Sequence, residues 1–225
     1  MPSIKQEGSV WTLRNTKGNE LKVTADGARV VSMRFRDKDF INRFLLKDGA
    51  SKIFVDGAPC DITWNGESTD VGVKFTAEVN GKSATVIYSL SNDNEISIRY
   101  ETAGIDDITT QLVFDGKVLP DVDFRACQKG AEWEKISGVK NYPVTEPAEV
   151  MMEVGMFGYD PGCPIDYLEA GLKNAANLFC NAASIEVIVY ATQDKIVAEG
   201  VDGGFALKTS GAGKGQTVYM LKNRK

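Results

Sequence analysis

VKFTAEVNGKSATVIYSLSNDNEISIRYETAG, residues 73–104, holds three runs in which apolar and polar side chains alternate. A period of two sends successive side chains to opposite faces of a pleated strand, so each run presents one apolar face. The first two runs meet at Asn80-Gly81, a pair that tolerates positive φ and suits the tight turn of a hairpin. The second and third meet in the polar stretch 91–95. Val86, Tyr88 and Leu90 share one face of the middle run, and Ile96, Ile98 and Tyr100 share the inner face of the third. The stretch predicts a three-stranded antiparallel meander with one buried side.

The same pattern extends in both directions. SVWTLRNTKGNELKVTADG (9–27) reads as two strands around an Asn/Gly turn. ARVVSMRFRD (28–37) sets Val31, Met33 and Phe35 against Val30, Ser32, Arg34 and Arg36. From Asp115 to Cys163 the pattern loosens around Pro120, Pro143, Pro147 and Pro161, although AEVMMEVGMF (148–157) has strand composition. SIEVIVYAT (184–192) is a buried strand by composition, and KIVAEGVDGGFALKTSG (195–211) and QTVYMLKN (216–223) supply the closing strands. One segment suits a helix: YLEAGLKNAANLF (167–179), with Leu168, Leu172, Ala175 and Leu178 at helical spacing. Many short strands with frequent turns predict an all-β sandwich or barrel. With no linker or low-complexity run, residues 1–225 are expected to form one domain.

Composition narrows the function. The 225 residues carry 26 Lys and Arg against 31 Asp and Glu, a net charge of −5 with no basic stripe, which argues against a nucleic-acid partner. No apolar run approaches the roughly 20 residues of a membrane span. The N-terminal MPSIKQEGSVW lacks the apolar centre of a signal peptide, which points to the cytoplasm. A cleaved leader would leave a similar start, so an exported form stays open. Cys60, Cys127, Cys163 and Cys180 are widely spaced, without metal-site spacing, and are expected to be free thiols; no metal or cofactor is expected. There is no histidine, which excludes Ser-His-Asp and Cys-His nucleophile systems and leaves carboxylates, lysine, tyrosine or cysteine for any catalysis.

SGAGKGQT (210–217) superficially suggests a phosphate loop. Lys214 is followed by Gly215 rather than Ser or Thr, and no helix follows, so it reads as a hairpin loop between closing strands.

Three segments carry a resemblance. WTLRNTKGNELKVTADGARVVSMRFRDKD (11–39), VIYSLSNDNEISIRYETAGIDDITTQLVF (86–114) and PIDYLEAGLKNAANLFCNAASIEVIVYATQDKIVAEGVDG (164–203) resemble, in order, segments of the aldose 1-epimerase (galactose mutarotase) family. The resemblance touches about half the residues. It implies an antiparallel β-supersandwich of the galactose mutarotase-like kind, with at most one short helix and a sugar cleft on its concave face. It further implies a small sugar or glycan as partner. In that family a glutamate base takes the anomeric proton while a histidine acid protonates the ring oxygen, so the ring opens and recloses. A second histidine, an aspartate and an arginine hold the sugar.

Carried across, these residues form a partial set. The acid histidine of "nltnH" falls at Thr110-Gln111, and the base glutamate of "gf.lEtq" falls at Lys208. Asp166 matches the aspartate of "yDH", with Tyr167 in place of its histidine, and Arg43 matches the arginine of "NRI". Arg43, Gln111, Asp166 and Lys208 are thus the candidate carbohydrate-binding residues, and Asp166 and Lys208 the candidate catalytic ones. Each has a plainer role available. Asp166 can cap the helix after it, Lys208 can guard a strand edge, Gln111 and Thr110 can sit on a strand surface, and Arg43 can form an ion pair. Trp64 and Trp133 can stack on a sugar ring or pack in the core. Asp121 and Asp123 in LPDVDF (119–124) can act as an acid pair or face solvent.

A Gln amide bonds a hydroxyl but does not transfer a proton usefully. The expected function is a carbohydrate-binding protein without standard mutarotase activity. An active epimerase with Asp166 or Glu153 as base and Lys208 or Tyr167 as acid is the alternative, followed by a structural or interaction module.

Overall fold

The computed structural model describes residues 3–128, 130–145 and 171–224. In chain order its strands begin with β1 (Ser3–Glu7), β2 (Val10–Arg14), β3 (Glu20–Thr24), β4 (Arg29–Arg36), β5 (Asn42–Phe44), β6 (Lys52–Val55) and β7 (Ala58–Pro59). Then come β8 (Asn65–Ser68), β9 (Val73–Val79), β10 (Lys82–Leu90), β11 (Glu95–Ala103), β12 (Ile108–Asp115), β13 (Asp123–Ala126), β14 (Glu134–Lys135) and β15 (Val139–Pro143). The chain closes with β16 (Lys173–Cys180), β17 (Ile185–Ala191), β18 (Lys195–Val201), β19 (Gly204–Gly211) and β20 (Lys214–Asn223).

They form three sheets. β1–β5 make a meander in chain order. The second sheet has the order β14-β13-β16-β17-β20-β11-β10-β9-β8, and the third β15-β18-β19-β12-β6-β7. The pairings within the meander of residues 73–104 are antiparallel, with Val86 opposite Tyr100, Tyr88 opposite Ile98 and Leu90 opposite Ile96. All six are buried. Asn80 and Gly81, at φ 53° and 74°, close the β9–β10 turn, the left-handed geometry that an Asn-Gly pair accepts.

Aromatic contacts join the sheets. Trp11 of the first sheet meets Phe75 of the second edge-on at 5.2 Å, and Phe75 meets Tyr88 at 6.0 Å. Phe114 of the third sheet stacks on Phe205 at 4.9 Å and tilts against Tyr219 of the second at 6.4 Å. The Tyr88 hydroxyl donates to the Ala28 carbonyl at 2.5 Å, satisfying a fully buried phenol. Side chains of this size each contribute about 1.5–3 kcal/mol on burial, so each of these contacts adds to the cohesion between sheets.

Three local expectations are corrected. Residues 173–179, within the segment expected to be helical, form β16, which pairs on both sides with β13 and β17. Its apolar residues satisfy either period over so short a run, and ladder hydrogen bonds on both flanks decide for strand. Within β4 the buried residues are Val30, Met33 and Phe35 rather than Val31, because a register shift opposite Lys22 and Val23 inserts one residue. Residues 212 and 213 connect β19 to β20, which belong to different sheets, so the link is a corner between sheets rather than a hairpin loop.

Candidate functional site

β12 and β19 lie side by side in the third sheet, and Gln111 stands directly opposite Lys208. Of the pair Thr110-Gln111, where the resemblance sets the acid, Gln111 therefore shares a sheet face with Lys208, where it sets the base. Lys52 of β6 flanks Gln111 and Val197 of β18 flanks Lys208, completing the row. Gln111 and Lys208 are both half-buried. The Lys208 ammonium pairs with Glu199 at 2.5 Å, so this row offers cationic donors, a carboxylate and an amide that both donates and accepts.

Thr110 points the other way, into the space between sheets. Its hydroxyl shares a hydrogen bond with Thr209 at 3.0 Å, and Thr209 shares one with Thr217 of β20 at 2.7 Å. Thr217 donates to Gln193 Oε1, and Gln193 Nε2 donates to the Tyr100 hydroxyl, both at 3.4 Å. This buried polar seam ends at a cleft of about 400 Å³, lined by residues including Tyr100, Asp107, Gln193, Ser210, Lys195 and Lys214. Burial raises the Tyr100 phenol above its ordinary range; the Gln193 bond opposes this and the Asp107 carboxylate adds to it. The phenol stays protonated and is available as a donor.

Asp106 and Asp107, just before β12, are tied down beside the cleft through their backbone. Asp56, at φ 48° in the β6–β7 turn, accepts the backbone N–H groups of Asp106 and Asp107 at 3.0 and 3.1 Å. The bond from the Asp107 N–H, then the Lys82 ammonium, holds the Asp56 carboxyl below its usual range, against a small push from burial. The Asp107 carboxylate in turn accepts the Thr109 hydroxyl at 2.9 Å.

The other expected residues lie elsewhere. Arg43 sits on β5, in a different sheet from Gln111 and Lys208, and donates from Nε to Asp37 at 2.9 Å. Asp166, Tyr167, Glu153 and Cys163 lie outside the described residues, as does the segment 148–157. Trp64 is buried in the core, while Trp133 is exposed with the Arg125 guanidinium 4.9 Å from its ring centre. Asp121 lies in a turn at φ 56° and Asp123 on β13, and Lys135 pairs with both, at 3.9 and 2.8 Å. Cys60 and Cys180 are buried free thiols, and Cys127 is half-buried.

Tyr100, Gln193, Ser210 and Lys195 did not stand out in the sequence. Their trace was glycine: a Cβ on Gly211 would lie 2.5 Å from the Tyr100 hydroxyl oxygen, and one on Gly215 would lie 2.2 Å from it. Glycine inside a strand marks such a close approach, and both belong to the segment that reads as a loop.

Solved structures share this arrangement of strands. A galactose 1-epimerase from Lactobacillus acidophilus NCFM matches with a TM-score of 0.63 and 12% identity, over 100% of this chain and 99% of that one. The GalM/aldose epimerase homologue from C. elegans matches at 0.61 and 11%, over all of both chains. A galactose mutarotase-like protein from Clostridium acetobutylicum matches at 0.53 and 8%, over 99% and 98%. The chain therefore has the galactose mutarotase-like fold, built from antiparallel sheets as the sequence resemblance implies. No protein-family model matches the sequence, and no curated protein matches it.

Proposed function

We propose that this protein binds a carbohydrate on the outer face of its third sheet and does not catalyse standard mutarotation there. The observation that carries this reading is the pairing of Gln111 with Lys208 across β12 and β19. Gln111, one of the two residues where the resemblance sets the acid, neighbours Lys208, where it sets the base, and the two hold an amide and an ion-paired ammonium. Those groups can hydrogen-bond sugar hydroxyls, whereas the amide does not serve as a general acid at neutral pH. The fold shared with proteins described as epimerases and mutarotase-like supports a sugar as the ligand class.

Saturation and exchange NMR with galactose, glucose and their 6-phosphates, at excess protein near neutral pH, tests this. Line broadening of particular sugars without anomer exchange above the buffer rate is the expected result. Exchange above that rate, abolished by Lys208→Ala, would establish an active epimerase with substitute groups. No response from any sugar would leave a structural or interaction module.

A further inference from the structure

The cleft at the end of the polar seam lies beside the Gln111–Lys208 face, since Ser210, which lines it, is two residues from Lys208 on β19. Thr109 and Gln111 share one side of β12, Asp107 immediately precedes the strand, and Ser210, opposite Thr109, follows Lys208 on the same side of β19. Lys195, two residues before Val197, shares that side on β18. Gln111 lies four positions after Asp107, and at roughly 3.3 Å per residue the two ends lie about 13 Å apart, farther than one pyranose ring reaches.

The cleft has the chemistry of a polyol site. Its lining carries two carboxylates, Asp107 and Asp194, and two ammonium groups, Lys195 and Lys214, with Asp194 also paired to Lys173 and Lys214 to Glu101. An anion would meet two carboxylates and a metal cation two ammonium groups, whereas a sugar hydroxyl both donates and accepts. The cleft also holds an unused donor. Tyr100 is 1% exposed, and its oxygen accepts from Gln193 Nε2, a group that can only donate, while Gln193 Oε1 is taken by Thr217. The phenolic proton has no acceptor hydrogen-bonded to it among the described residues. The volume, about 400 Å³, falls in the ordinary range of small-molecule sites.

We propose that the Tyr100 cleft is a second saccharide subsite, so that the ligand is an oligosaccharide or a glycan end, with one unit on the Gln111–Lys208 face and the next in the cleft. This rests on the sugar reading of that face. Tyr100 and Ser210 donate to the second unit, Asp107 accepts from it, and Lys195 closes the mouth.

Titration calorimetry on the full chain with galactose, glucose, lactose, maltose and cellobiose tests the proposal. At least one disaccharide should bind about tenfold more tightly than either of its monosaccharide units, the gain of one good set of added hydrogen bonds. Tyr100→Phe and the exposed Lys195→Ala should each remove most of that gain and leave monosaccharide affinity unchanged. Monosaccharide binding with no disaccharide gain would overturn the second subsite while the sugar reading stands. Equal loss of monosaccharide and disaccharide affinity in Lys195→Ala would also overturn it. Absence of binding by every sugar would overturn both.

Discussion

Gly211→Ala and Gly215→Ala should behave differently when combined with Tyr100→Phe, because the two glycines meet different atoms of the same side chain. A Cβ at Gly211 would lie 2.5 Å from the Tyr100 hydroxyl oxygen, with the next atoms, Gln193 Cγ and Tyr100 Cζ, at 3.7 and 3.8 Å. The clash is with the oxygen alone. A Cβ at Gly215 would lie 2.2 Å from that oxygen but also 2.3 and 2.7 Å from Cζ and Cε1 of the ring. Overpacking of this kind costs about 1–3 kcal/mol, and the reduced freedom of the unfolded chain on replacing Gly by Ala returns about 0.4–1 kcal/mol. Gly211→Ala should therefore destabilise by about 1–2 kcal/mol net. Tyr100→Phe alone loses one long hydrogen bond from Gln193 and costs about 0.5–1.5 kcal/mol. The double variant Gly211→Ala/Tyr100→Phe should be more stable than the sum predicts by about 1–2 kcal/mol, since the phenylalanine ring leaves the new methyl room. Gly215→Ala/Tyr100→Phe should show little such recovery, because the ring carbons still collide. Urea unfolding with a constant m-value across the set measures this cycle. A neutral Gly211→Ala, or equal recovery in both double variants, would refute the packing of Tyr100 between the two glycines.

Further outcomes follow from other sites. Thr209→Val should cost about 1–3 kcal/mol by chemical denaturation, because it leaves the buried hydroxyls of Thr110 and Thr217 without their shared partner. Phe75→Ala should cost about 3–5 kcal/mol, since the side chain is fully buried between Trp11 and Tyr88; a loss below 1 kcal/mol would contradict that packing. Burial pushes the Asp37 carboxyl up, but hydrogen bonds from the Ile41 N–H, the Arg43 guanidinium and the Asp39 N–H outweigh it and hold the group below its usual range. The carboxylate therefore contributes stability in full above the ordinary carboxylate range and loses it as pH falls through the lower folded value. The urea midpoints of wild type and Asp37→Asn should converge on going from pH 7 towards about pH 3, whereas a constant gap would show that Asp37 does not titrate in this way.

Several side-chain placements were legible because they depend on neighbours in sequence. The Asn80-Gly81 turn needs positive φ at two adjacent positions, and the inner faces of β10 and β11 follow from alternation alone. The bulge in β4 was not legible, since it arises from how β3 pairs with that strand. Arg43 and Lys208 illustrate the same limit for the site. Each was visible as a cation at a position of interest, but their partners Asp37 and Glu199 belong to geometry, and only Lys208 lies beside Gln111.

The sequence by itself determined an antiparallel β protein with no imidazole chemistry, because strand periodicity, turn residues and composition are local properties of the chain. Tertiary structure alone decided that 173–180 is a strand, that β19 and β20 part into different sheets, and that Gly211 and Gly215 enclose the Tyr100 hydroxyl. Those outcomes depend on ladder hydrogen bonds and van der Waals contacts between segments far apart in sequence, and no local pattern encodes which distant strand will supply them.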